Sequence, residues 1–170
     1  MASVPDFRTL PFTLQAVNAS GMSVGRTAYR GLYAIENILR VIVHSVLTAQ
    51  VGPNWWEFAV DDRLRQKARG VRESYASLLG RAPAGRHDLY FTFLPDLNKI
   101  LRPNSHLFLP AVPDIDEWMV RIERLRLPRN MVGHANWPTA SAATTIRRTH
   151  AAARVTIRDV RAAGIPLLVP

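Results

Sequence analysis

The sequence predicts an all-α fold: an up-and-down bundle of about four to five main helices, preceded by a short N-terminal lead-in or extended arm. Three observations carry this. Apolar residues recur at helical spacing over several long stretches. Proline- and glycine-rich breaks separate those stretches. At 170 residues and 48% hydrophobic content, the chain is long and apolar enough for one well-filled core.

Residues 1–22 read as the lead-in and 23–170 as the helical domain. In the lead-in, Leu10, Phe12, Leu14 and Ala16 alternate with other residues, the pattern of an extended arm, a short strand or an irregular approach. The first long helix is expected over 27–50. Ala28, Leu32, Ile35, Leu39, Ile42, Val46 and Ala49 form its stripe, and Glu36, Arg40, Val43 and Leu47 form a second stripe beside it. Gly52-Pro53 punctuates its end. A second helix is expected over 57–79, burying Leu64, Ala68, Val71, Tyr75 and Leu78. A loop over 80–86 leads to a third helix over 89–101, where Pro95 suits a first turn. Residues 102–113 hold three prolines and read as a connector. Asp114 with Glu117 resembles a capping box, opening a helix that buries Ile115, Trp118, Met119 and Ile122. Pro128 interrupts or restarts it. The last helix is expected over 139–163, with Ile146, His150, Ala153, Ile157 and Val160 on one arc. Arg147, Arg154, Arg158 and Arg161 form a ridge beside that arc.

The formal net charge is +9, and only two of the 22 basic residues are lysine. Such a charge favours an anionic partner, nucleic acid foremost. The Arg ridge is the natural place for phosphate contacts or for a partner's acids. With no cysteine, disulfides and thiolate–metal sites are excluded, and a reducing cytoplasm is expected. No apolar run is expected to reach the roughly 18 residues that span a bilayer. The first six residues lack the basic-then-apolar order of a signal peptide.

The segment Arg129-Asn130-Met131-Val132-Gly133-His134 carries the candidate chemistry. Imidazole takes or gives a proton near neutral pH. A guanidinium stays charged and can grip a phosphate with two hydrogen bonds. On a helix, Asn130 and His134 share a face, and Gly133 leaves room beside the histidine. Together these suit attack of a ribose 2′-OH on the adjacent phosphorus, with His134 as base or acid, Arg129 as phosphate stabiliser and Asn130 as orienter. The scheme needs no metal and no cofactor. Glu36 and Arg40, four apart on the first long helix, either form a surface pair or support the site. His44 and His150 read as core or seam residues, His87 and His106 as loop residues without metal-ligand company. Trp55 and Trp56 read as core anchors.

Arg129-Asn130-x-x-x-His134 resembles the R-polar-x3-H signature of the HEPN superfamily of helical ribonucleases and RNA-binding domains. Tyr33-Ala34-Ile35-Glu36-Asn37-Ile38-Leu39-Arg40 is similar to that family's first long helix, where an acid and an Arg four apart face the site. The segment from Leu89 to Leu97 resembles the one that precedes the motif helix. The resemblance spans about residues 27–160. It implies a homodimer in which two motif helices meet and form a composite Arg/His cleft. It also implies metal-independent RNA cleavage leaving a cyclic phosphate, in defence, stress or toxin–antitoxin control, with an antitoxin or a larger defence-system protein as partner. Some members are non-catalytic modules that bind RNA or a partner. In one toxin branch a modified Tyr stands two residues after the His; here that position is Asn136, which puts that regulation in doubt.

Overall fold

The computed structural model describes residues 6–9, 11–78 and 85–170. Among them every regular element is helical, and the bundle is all-α. A 3₁₀ turn at Phe7–Thr9 precedes α1 (Leu14–Val24). A π-turn at Gly25–Tyr29 carries α1 into α2 (Arg30–Val51). The expected extended arm is therefore corrected: Leu14 and Ala16 are helical. The Thr13 side chain accepts a hydrogen bond from the Ala16 backbone N–H at 3.0 Å, and that cap starts the helix where alternation suggested a strand. The boundary drawn between residues 22 and 23 falls inside this continuous helix. Leu10 and residues 1–5 lie outside the described residues.

α2 is the centre of the bundle and packs on the helices over Trp55–Ala59, Leu94–Leu101, Ser105–Phe108 and Ala140–Ala162. Leu32, Ile35, Leu39, Ile42 and Val46 are buried as the stripe predicted, and so are Val43 and Leu47; Ala49 is exposed. A Cβ added at Gly31 would lie 2.6 Å from the Ile146 side chain, so the glycine lets α2 and the last helix approach closely. Gly52, with φ of 109°, ends α2. Contrary to the sequence reading, the helical segment Leu14–Val51 is long and apolar enough to cross a bilayer by length and composition. In this fold, much of its apolar surface packs inward on the other helices.

The expected helix over 57–79 is two: α3 (Trp55–Ala59) and α4 (Asp62–Ala76). The Asp61 side chain caps α4, accepting from the Leu64 N–H at 3.0 Å. Only Leu64 and Ala68 of the predicted stripe are buried; Val71 is half-buried, Tyr75 and Leu78 are exposed. Leu79 and residues 80–84 of the expected loop lie outside the described residues. The helix expected over 89–101 is a 3₁₀ turn at Asp88–Phe91 followed by α5 (Leu94–Leu101), which buries Leu94, Leu97, Ile100 and Leu101. The connector contains one short helix, α6 (Ser105–Phe108).

α7 (Ile115–Arg124) buries Ile115, Trp118 and Ile122, with Met119 half-buried. Asp114 precedes it but makes no side-chain cap, so the capping-box reading is corrected. The chain breaks at Leu125 and restarts as α8 (Arg126–Gly133). Pro128 sits in the first turn of α8, where its missing N–H costs nothing. Its ring would clash with the carbonyl four residues back, which places the break one turn before the proline. α9 (Ala140–Ala162) starts at the Thr139 cap and packs along α2. Its buried seam is Ala142, Ile146, Thr149, Ala153, Thr156 and Val160; His150 and Ile157 are half-buried. Thr156 belongs there because its hydroxyl accepts from Trp118 Nε1 at 3.1 Å and donates to the Ala152 carbonyl at 3.3 Å.

Candidate functional site

α8 closes in a Schellman turn. The Asn136 N–H donates to the Met131 carbonyl at 2.8 Å, and the Ala135 N–H donates to Val132 at 3.1 Å. Ala135 takes the left-handed conformation, φ 57°, that this turn requires. His134 is thus the C-cap of α8, just past the helix proper. It is exposed, and its ring makes no hydrogen bond among the described residues. A Cβ at Gly133 would touch nothing within 4 Å, so the space beside His134 is open.

That space belongs to a groove of about 450 Å³ between α2 and α8. Arg129 and His134 line it from α8, and Glu36 and Arg40 line it from α2. Four residues separated by some ninety positions of chain are thereby brought to one opening. Arg40 and Glu36 form a close ion pair. The other reach of Arg40 ties α2 to the segment before α5: Nη2 donates to the Thr92 carbonyl at 2.9 Å. Nη1 donates to Asn37 at 3.3 Å, and the guanidinium lies 5.8 Å from the centre of the Tyr90 ring. Glu36 and Arg40 are therefore neither a free surface pair nor free ligands. They form a braced wall, and Arg40 Nε is buried without a hydrogen-bond partner among the described residues.

Arg129 is held by two neighbours. Its guanidinium lies 5.7 Å from the Phe93 ring centre and donates to Asn130 Oδ1 at 3.4 Å. Asn130 does not line the groove and makes no bond to the His134 ring. It lines a neighbouring hollow of about 300 Å³ that Arg129 also borders. Arg147, Arg154, Arg158 and Arg161 are exposed on α9 as expected, and none lines the groove. Arg154 and Arg158 flank a separate shallow hollow with Ala151 and Ile157.

No known family, curated protein or solved structure matches the chain.

The groove also takes Tyr29, Tyr33, Asn37 and Tyr90. Tyr29 and Tyr33 are 60% and 64% exposed. Tyr33, Glu36, Asn37 and Arg40 share one α2 face at i, i+3, i+4 and i+7, the signal that points to them together. Nothing in the local sequence points to Tyr90.

A second cluster joins residues that the sequence keeps apart. The Trp55 and His87 rings stack at 5.2 Å, and His44 meets His87 edge-on at 4.9 Å. Trp55 Nε1 donates to His44 Nδ1 at 3.1 Å, and the Leu89 N–H donates to His87 Nδ1 at 3.1 Å. Both Nδ1 atoms are acceptors, so both rings are neutral there. Burial pushes His87 down to about 4, with His44 adding to the effect and Asp88 opposing it. Burial also lowers His44. His87 is thus a packed ring and not the loop residue that its neighbourhood in sequence suggested, while Trp55 and Trp56 are the core anchors expected. Among the described residues no group of three His, Asp or Glu side chains is placed to hold a metal ion.

Proposed function

We propose that this protein is a metal-independent endoribonuclease of the HEPN type, working in the cytoplasm as a homodimer. The observation that carries the reading is the single groove lined by Arg129, His134, Glu36 and Arg40. A motif read from eight consecutive residues of one helix and a hexad far downstream meet at one opening.

The chemistry follows from the side chains. His134 takes the proton of a ribose 2′-OH, and that oxygen attacks the adjacent phosphorus. The bond from phosphorus to the 5′-oxygen breaks, leaving a 2′,3′-cyclic phosphate. A second imidazole, His134 of the other copy, returns a proton to the departing 5′-oxygen. Arg129 stabilises the charge that grows on the phosphate oxygens, and Asn130 steers Arg129. Glu36 and Arg40 position this wall. One copy supplies one imidazole at the groove, so both proton transfers call for a second copy. Exposed Tyr29 and Tyr33 beside the groove supply aromatic surface for that contact. The setting in defence, stress or toxin–antitoxin control rests on the family resemblance.

His134→Ala is expected to abolish cleavage of a defined RNA in the presence of a chelator while leaving the helical circular dichroism intact. Undiminished cleavage by that variant would sink the mechanism. A second reading is favoured by the hollow between Arg154 and Arg158 on α9: a non-catalytic helical module that binds RNA or a partner protein there. RNA binding without cleavage, lost when Arg154 and Arg158 are neutralised, would decide for it.

A further inference from the structure

The hollow beside the groove is built unlike the rest of the surface. Both lysines of the chain, Lys67 and Lys99, converge there on one carboxylate. Asp96 accepts from Lys67 Nζ at 2.6 Å, from Lys99 Nζ at 2.9 Å and from the Phe93 N–H at 3.1 Å. Asp96 is 1% exposed. Burial alone would raise its pKa, but the bonds from Lys67 and Lys99 outweigh that and hold it below the ordinary value. A buried anion thus fixes two ammonium groups at the mouth of a hollow of about 300 Å³. Each ammonium keeps donors that Asp96 does not use. Arg126 and Arg129 complete the rim, Arg126 pairing with Glu123 at 3.3 Å. Taking Lys67, Lys99, Arg126 and Arg129 against Asp96 and Glu123, four positive charges face two negative ones. Phe93 stands among them, 42% exposed, with Lys67 Nζ at 5.0 Å from its ring centre.

Arg129 borders this hollow and the groove alike. A guanidinium carries donors along two edges, so one side chain can bridge two successive phosphates. We infer that the hollow is a second nucleotide subsite: Lys67, Lys99 and Arg126 hold the phosphate next to the one cleaved, and Phe93 offers its ring to the adjoining base. Positive charge interleaved with an exposed aromatic is the general pattern of single-strand binding. The inference rests on the groove being an RNA site and adds where the strand continues.

The test uses the full chain and uncleavable 2′-O-methyl oligouridylates, a dinucleotide and a pentanucleotide. Wild type is expected to prefer the pentanucleotide by about tenfold or more. Phe93→Leu and Arg126→Gln should each cut that preference severalfold. Arg126→Gln should also lower the salt slope of pentanucleotide binding by about 0.7, one phosphate contact on a single strand. Arg126 is exposed, so that variant keeps the test open where Phe93→Leu disturbs α5. A preference that persists in both variants, with the dinucleotide still bound, overturns the subsite and leaves the groove reading standing. Failure of both lengths to bind overturns both.

Discussion

At the scale of single residues, the turn after α8 shows how local strain and function meet. Ala135 holds a left-handed conformation, φ 57°, that glycine adopts freely and an L side chain does not. Ala135→Gly is therefore expected to stabilise the protein by about 1 kcal/mol, read as a rise in the thermal midpoint. Gly133 is the converse case. Packing does not demand a glycine there, since a Cβ would meet nothing within 4 Å. Gly133→Ala should raise stability by roughly 0.5–1 kcal/mol. It should also lower RNA cleavage, because the added methyl stands where substrate must pass His134. A variant both more stable and equally active would show that the glycine has no part in the site.

At the scale of elements, the site depends on how α2 is held. Arg40 joins α2 to the Thr92 carbonyl as well as to Glu36. Arg40→Ala leaves a carbonyl and a half-buried carboxylate without their donor, at a cost of about 1–3 kcal/mol in urea unfolding. Arg40→Lys should recover part of this, since an ammonium reaches one partner but lacks the planar fork. Gly31 sets the spacing on another face of the same helix. With Ile146 only 2.6 Å from where a Cβ would sit, Gly31→Ala must push α2 and α9 apart, costing about 1–3 kcal/mol. Both helices belong to the core that supports the groove, so loss of cleavage should accompany loss of stability in Gly31→Ala.

At the scale of the whole molecule, the His44–His87–Trp55 cluster links protonation to folding. His87 is held near 4 and His44 is also lowered, both chiefly by burial. Histidine in an unfolded chain titrates near 6.5. Between about pH 6.5 and about pH 4 the unfolded chain binds protons that the folded chain refuses, so stability falls as pH drops through that window. Below it, Asp96 extends the loss, because its lowered carboxyl must finally protonate. Urea midpoints should therefore decline from pH 7 to pH 4.5. His87→Asn keeps a side-chain acceptor for the Leu89 N–H and should flatten that decline. An unchanged pH profile in His87→Asn would refute the linkage.

Much of the fold was legible in the chain because it is written in local periodicity. The stripe from Leu32 to Val46, the Gly52 stop and α9, Ala140–Ala162 against an expected 139–163, all follow from spacing and punctuation. Leu14 alternates with its neighbours, yet the Thr13 cap starts a helix there, and Thr156 is polar, yet it joins the seam because the buried Trp118 donates to it. Of the site, Arg129, His134, Glu36 and Arg40 were legible as chemistry, and Tyr90 and the Lys67–Asp96–Lys99 cluster were not. By itself the sequence determined the main helical stretches, the charge and which side chains could do acid–base and phosphate chemistry. Only the tertiary structure decided that these side chains meet, that Asn130 turns toward Arg129, and that His87 is packed and neutral. Helical periodicity is a property of neighbours along the chain, whereas a groove depends on how distant helices pack against one another.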